Sequence, residues 1–77
     1  MTNVILPELG EGITKATVAF WHYKVGDVLH EGDDVVELVT DKATFNVPAP
    51  KSGVLKKVIY AEGQDVKIGE VLAVIEA

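Results

Sequence analysis

The chain has 77 residues, no cysteine and two histidines, and its formal net charge of −5 reflects seven lysines set against twelve acids. These values exclude a disulfide framework and a thiolate metal site, and His22 and His30, eight residues apart, lack a recognised ligand spacing. They also speak against nucleic-acid binding, which calls for a basic patch or stripe, and no apolar run reaches the roughly 18 residues of a membrane-spanning candidate.

A chain this short buries only ~60% of the surface its unfolded form exposes. Without disulfide or metal staples, the fold must rest on apolar packing. Hydrophobic residues make up 48% of the chain, and 13 valines and five isoleucines are among them. Such β-branched side chains are stiff at χ1 and suit pleated surfaces.

Short strand-like runs alternate with turn signals along the whole length, and no long stretch has helical periodicity. Residues 3–6 form the first run, ended by Pro7, and residues 8–14 read as a loop. Residues 17–23 form the second run. Gly26-Asp27 and Gly32-Asp33 flank a very short one at Val28 and Leu29. Residues 35–40 and 43–47 follow, separated by Asp41-Lys42, with Pro48 and Pro50 closing the second of them because proline cannot donate to a ladder. Residues 54–60, a short run at Val66 and residues 71–75 complete the set. Seven or eight short strands predict a small all-β fold, a sandwich or flattened barrel.

The chain also repeats itself. A shift of 37 residues places Tyr23 on Tyr60, Gly26 on Gly63, Leu29 on Val66, Gly32 on Gly69, Val35 on Leu72 and Leu38 on Ile75. Two copies are too few for a solenoid. They predict quasi-two-fold symmetry, with two β units covering each other's apolar faces. The Asp41-Lys42 turn then corresponds to the place of the chain termini, and the two lie at opposite ends of the domain. Strand-like sequence from Asn3 leaves no signal or transit segment in view, and the stop at Ala77 after an apolar run has the look of a domain excised from a longer chain. The expected location is the cytoplasm of a bacterium or archaeon, or the mitochondrial matrix if the chain is such an excised domain.

Asp41-Lys42 is the centre of the functional reading. Only a tight turn fits between the two flanking runs, and aspartate stabilises turns by bonding nearby backbone amides. Lys42 therefore stands at an apex, exposed to any modifying enzyme. A turn lysine is ordinarily just solvated; this one sits at the one turn that the internal repeat does not duplicate.

Residues 6–14 (Leu-Pro-Glu-Leu-Gly-Glu-Gly-Ile-Thr), Trp21, Gly26-Asp27, Gly32-Asp33, residues 40–43 (Thr-Asp-Lys-Ala) and residues 48–50 (Pro-Ala-Pro) together resemble the lipoyl domains of 2-oxo acid dehydrogenase complexes, which belong to the E2 dihydrolipoyl acyltransferase component. The resemblance covers residues 1–77 as one lipoyl-binding domain, and implies the all-β carrier fold, a flattened barrel or sandwich of two four-stranded antiparallel sheets with quasi-two-fold symmetry. It implies that Lys42 bears lipoic acid in amide linkage, with Asp41 and Ala43 as flanking recognition residues. It implies further that the arm is acylated by a thiamine-diphosphate E1 decarboxylase, delivers its acyl group to the E2 core and is reoxidised by the flavoenzyme E3. A lipoate ligase or lipoyl transferase would install the group. The loop of Glu8, Leu9, Gly10, Glu11, Gly12, Ile13 and Thr14 would help E1 recognise the domain. Ala16 stands where the family usually has glycine, so a small backbone adjustment is expected.

The other features are weaker. Gly10-Glu11-Gly12 lacks the third glycine and the helix of a nucleotide fingerprint. Glu31, Asp33 and Asp34 lack calcium-loop spacing and read as a solvated face. Trp21 and Phe45 read as core, and His22 as solvent-facing. No nucleophile–base pair or carboxylate dyad is recognisable, so no catalytic residue is assigned and the chain reads as a carrier. A biotin carrier domain shares the doubled architecture but typically has methionine on both sides of its lysine, where this chain has Asp41 and Ala43. The glycine-cleavage H protein carries extra helices that this chain lacks. A plain β-barrel interaction module would leave the symmetry unexplained.

Overall fold

The computed structural model describes residues 1–77 and contains eight strands and no helix. They are β1 (Thr2–Ile5), β2 (Lys15–Trp21), β3 (Val28–Leu29), β4 (Asp34–Val39), β5 (Thr44–Pro48), β6 (Gly53–Val58), β7 (Asp65–Lys67) and β8 (Val71–Glu76). Every pairing is antiparallel, in two four-stranded sheets ordered β1-β8-β6-β3 and β5-β4-β2-β7. Proline is tolerated at position 48 because β5 is an edge strand and Pro48 is its last residue.

The two sequence halves interlock more deeply than the repeat alone predicts. Each sheet takes two strands from each half, so neither sheet is one copy of the repeat. The symmetry still governs the pairing: β1 corresponds to β5, β2 to β6, β3 to β7 and β4 to β8, and the two strand orders match under that exchange. Even the irregularities repeat. Ala19, Val35, Lys56 and Leu72 are each the extra residue at a register shift, and 19 and 35 fall on 56 and 72 under the 37-residue shift.

Those bulges decide which side chains face inward, because one extra residue moves the rest of a strand to the other face. Ahead of Ala19, β2 buries Ala16 and Val18. Beyond it Trp21 and Tyr23 pack on the core, while Phe20 and His22 turn outward and meet edge to face at 5.2 Å. Turn chemistry is duplicated as well. Lys24 N donates to Asp27 Oδ2 at 2.8 Å, and its counterpart Ala61 N donates to Gln64 Oε1 at 2.7 Å. His30 N donates to Asp33 Oδ2 at 3.0 Å, as Lys67 N does to Glu70 Oε1 at 2.8 Å.

Fifteen buried residues, all apolar, form one continuous core between the sheets. Leu29, Leu38, Leu55, Leu72 and Val66 are completely enclosed, and each such side chain contributes roughly 1.5–3 kcal/mol by leaving water. Trp21 packs on this core and donates its indole N–H to Tyr60 O at 2.9 Å. Phe45 departs from the expectation. It pairs with Leu38 and shares the inward phase of Val47, but is only half-buried and lies outside the core cluster. It lies on β5, an edge strand, one residue in from the end next to the β4–β5 turn.

The molecule measures 34 × 20 × 17 Å along its principal axes. β1 runs toward the end that carries the β4–β5 turn: Leu6 N bonds Glu70 O, Ile68 N bonds Thr14 O, and Thr17 pairs with Val39 at the tip of β4. Thr2 pairs with Ile75 at the other end of β1. The chain termini therefore lie at the end opposite Lys42, as the symmetry requires.

Candidate functional site

The β4–β5 connection is a four-residue turn organised by its first residue. Thr40 N donates to Ala43 O at 2.9 Å. The Thr40 hydroxyl donates to the same carbonyl at 3.0 Å, and accepts from Lys42 N at 3.2 Å and from Ala43 N at 3.1 Å. The sequence reading assigned the turn-stabilising bond to Asp41. The structure gives it to Thr40, because the residue preceding the turn can reach forward to two amides. The Asp41 side chain is exposed and takes no part in these bonds.

Lys42 is exposed at the tip and makes no ion pair, whereas Lys15 and Lys56 each lie 3.6 Å from a carboxylate oxygen. Its amine does not stand clear of the protein. Nζ lies 3.4 Å from the carbonyl oxygen of Glu11, in the β1–β2 loop. Gly12 lies beside that approach: it holds φ at +82°, and a Cβ there would sit 3.2 Å from Lys42 Nζ, close enough to nudge the lysine end aside.

The loop of residues 8–14 thus reaches the hairpin tip. Leu9 anchors it by packing on the core, Leu6 and Thr14 tie its two ends to the β7–β8 turn, and Ile13 N donates to Gly10 O at 3.2 Å. Glu8, Gly10, Glu11, Gly12 and Thr14 are exposed. Between loop and hairpin lies an open cleft of about 420 Å³, lined by residues 12–17 and 39–41. On its flank the Thr17 hydroxyl donates to Asp65 Oδ1 at 2.7 Å and Lys15 Nζ lies 3.6 Å from Asp65 Oδ2. That hydrogen bond first, and the lysine charge second, hold the Asp65 carboxyl below its ordinary value.

Ala16, at the foot of this region, is buried and pairs with Val66. Its symmetry mate is Gly53, where a Cβ would meet Glu76 O at 2.5 Å and Ile75 Cγ2 at 2.8 Å. The two equivalent sites differ in room, and only the second demands glycine.

The remaining candidates stand elsewhere. His22 Nε2 is 3.0 Å from Asn46 Oδ1 on the outer face. Asp33 serves its own turn and accepts the Tyr23 hydroxyl at 3.4 Å. Burial, followed by the charge of Asp33, raises the Tyr23 pKa.

Residues 2–75 match the family described as "Biotin-requiring enzyme", the biotin/lipoyl attachment domain. The solution structure of the lipoyl domain of the 2-oxoglutarate dehydrogenase complex from Azotobacter vinelandii superposes with a TM-score of 0.79 at 31% identity, covering 100% of this chain and 98% of that one. The chain belongs to the biotin/lipoyl attachment family, in its lipoyl branch.

Curated relatives of this lipoyl-type domain carry the name dihydrolipoyllysine-residue succinyltransferase component of the 2-oxoglutarate dehydrogenase complex. The Staphylococcus saprophyticus protein is 41% identical over 97% of this chain, and the Bacillus subtilis protein 37% identical over 97%. The chain spans 18% of the length of each. Kluyveromyces lactis urea carboxylase shares the fold with a TM-score of 0.67 at 24% identity, over 97% of this chain and 7% of that one. The all-β architecture expected from the sequence is therefore the architecture of the family.

Lys42 suits the group that the family implies. Its amine is exposed, free of ion pairing and faced by a residue without a side chain. Sequence reasoning missed two contributors, Thr40 and the Glu11 carbonyl. The first could have been found from a hydroxyl residue placed two and three positions before the amides it bonds. The second has no local signal, being a backbone atom 31 residues away.

Proposed function

We propose that residues 1–77 act as one lipoyl-binding domain and that Lys42 carries the lipoyl group. The observation that carries this reading is the position of the Lys42 amine: free of ion pairing, exposed, at the apex of a turn closed by four hydrogen bonds in which Thr40 takes part as donor or acceptor. A lipoate ligase or lipoyl transferase would join Nζ to the lipoyl carboxyl carbon. An amide bond forms, the amine gives up a proton, and the group activating the carboxyl departs. The formal net charge falls from −5 to −6. Asp41 and Ala43 flank the acceptor, and their contribution to recognition is part of the proposal.

When bound, the lipoyl group supplies a disulfide that is reductively acylated and later restored. The protein's own residues supply position. The turn fixes where the arm begins, and the loop of residues 8–14, beside that point, offers a thiamine-diphosphate E1 decarboxylase a surface to recognise. The E2 core receives the acyl group and the E3 flavoenzyme reoxidises the arm. The names of the relatives favour 2-oxoglutarate as the parent substrate over pyruvate or a branched-chain 2-oxo acid. Their bacterial sources favour a cytoplasmic setting.

Tethering raises the local concentration of such an arm to mM or so for short flexible linkers. Attachment at the end opposite the chain termini lets the arm face its partners while the termini face the rest of a parent chain. The test is peptide mapping after incubation with lipoate ligase, lipoate and ATP. Lipoate on Lys42 alone is the expected result. Lipoate on Lys24 or Lys51, or biotin accepted at Lys42, overturns the assignment.

A further inference from the structure

The hairpin tip contains one side chain whose full hydrogen-bonding capacity is spent on the turn. A hydroxyl has one donor and two acceptor positions. Thr40 Oγ1 uses its donor on Ala43 O at 3.0 Å and both acceptor positions on Lys42 N, 3.2 Å, and Ala43 N, 3.1 Å. The Thr40 amide adds a fourth bond to Ala43 O at 2.9 Å. No other side chain bonds the backbone of residues 40–43.

We infer that Thr40 is the positioning residue for modification: its hydroxyl fixes the backbone of Lys42, and so the direction in which the amine is presented to the modifying enzyme. The inference rests on Lys42 being the modified residue. A side chain acts on a rate in this way only if the reacting amine must be held, and the geometry supplies that link. The bond is made to the amide of Lys42 itself, with a second bond to the next residue. Removing both leaves an exposed turn whose amides turn to water, so the lysine stem starts from many directions instead of one. The fold has no such need of the hydroxyl. Thr40 lies beyond the end of β4, outside the core cluster, and the strands on either side are held by their own ladder from Val39↔Thr44 inward.

The loss expected is therefore kinetic. Misplacement of a reacting group by ~1 Å can cost on the order of 100-fold, and a loosened turn, which still samples the right direction part of the time, should cost about tenfold or more. Because the surface that the enzyme grips is unchanged, the loss should fall on kcat for lipoylation and leave KM near the parent value.

The experiment compares apo parent, Thr40→Val, Thr40→Ala and Thr40→Ser as substrates of lipoate ligase, with kcat and KM measured separately. Melting curves are recorded for each, and amide exchange of Lys42 and Ala43 is followed by NMR. Thr40→Val and Thr40→Ala should lose tenfold or more in kcat, exchange both amides faster and melt close to the parent. Thr40→Ser keeps the hydroxyl and should recover most of the rate. If either hydroxyl-free variant is modified as fast as the parent, or Thr40→Ser is as slow as Thr40→Val, the inference falls. So it does if the rate loss is matched by a general loss of folded protein in all three variants. Lipoate found on another lysine of the parent would overturn the Lys42 assignment itself and this inference with it; Lys42 modified normally in Thr40→Val would overturn the inference alone.

Discussion

Lys42 Nζ and the carbonyl oxygen of Glu11 are 3.4 Å apart although 31 residues separate them in sequence. This contact joins the two parts of the candidate site, the turn that presents an amine and the loop expected to be read by a partner. Modification turns the ammonium into an amide N–H, which keeps a donor but loses the charge, so the contact weakens and the loop gains freedom. Loop amides of residues 10–13 should therefore shift on lipoylation, while those of β3 and the β6–β7 turn should not. NMR spectra of the two forms check this; unchanged loop signals would dissociate loop from tip.

Gly12 borders the contact, and replacing it should cost on two counts. Its φ of +82° is a region in which an L side chain loses roughly 1–2 kcal/mol. The added Cβ would also press on Lys42 Nζ at 3.2 Å. Gly12→Val should slow lipoylation and lower stability slightly, with the strands intact by circular dichroism. Melting and ligase kinetics measured together separate the two effects.

The symmetry-related pair Ala16 and Gly53 gives a sharper contrast in stability. In Gly53→Ala the new methyl meets backbone oxygen of Glu76 at 2.5 Å, and backbone cannot step aside as a flexible side chain can. Overpacking of this kind costs about 1–3 kcal/mol. The converse change, Ala16→Gly, removes a buried methyl and frees the unfolded backbone, for a loss of roughly 0.5–1 kcal/mol. Urea unfolding of both variants checks the order, with Gly53→Ala expected to be the less stable.

Acid should act at the cleft through Asp65. Its pKa is lowered in the folded state, chiefly by the Thr17 hydroxyl and then by Lys15. A depressed carboxyl contributes stability that is present above its unfolded value, about 3.9, and is lost as pH falls through the lower folded value. Thr17→Val should raise the Asp65 pKa toward the ordinary value and flatten that part of the acid dependence. Lys15→Gln should do less, and its effect should shrink in high salt because the pair is exposed. A carboxyl NMR titration measures both directly.

The fold was readable from the sequence where one strand could be judged alone, and less so where a distant partner set the answer. β3, only two residues long, was found because glycine turns bracket Val28 and Leu29. The sequence places the start of β2 at Thr17 but it lies at Lys15, since Asp65–Lys67 of β7, far along the chain, pairs with Lys15–Thr17. Phe20 turns outward because of a bulge at Ala19 that no composition signal marks, whereas the exposure of His22 agrees with the sequence reading. The repeat predicted the symmetry but not the exchange of strands between halves, because a 37-residue spacing is the same whether two copies stack or interlock. At the site, Asp41 is the stronger turn former by sequence, while Thr40, which ends a run rich in β-branched residues, reads as strand.

Position at the tip should matter more than the identity of the neighbours. Side chains in a hairpin alternate in direction, so moving the amine by one place sends it elsewhere. Exchanging Asp41 and Lys42 keeps composition and net charge. The Thr40 hydroxyl bonds only main-chain groups, so the turn itself should survive with aspartate in position 42. Surface changes of this sort usually cost within about 0.5 kcal/mol, and melting should barely move. Lipoylation should nevertheless fall sharply, since the amine now leaves from position 41 and no longer points toward Glu11 and Gly12. Asp41→Ala is the control. The Asp41 side chain makes none of the turn's bonds, so its removal should leave most of the modification rate. The three proteins are lipoylated side by side, with melting curves to establish that each is folded. A swapped lysine modified as fast as the parent would mean that the tip is not read by geometry, and the positional argument for Lys42 would fail.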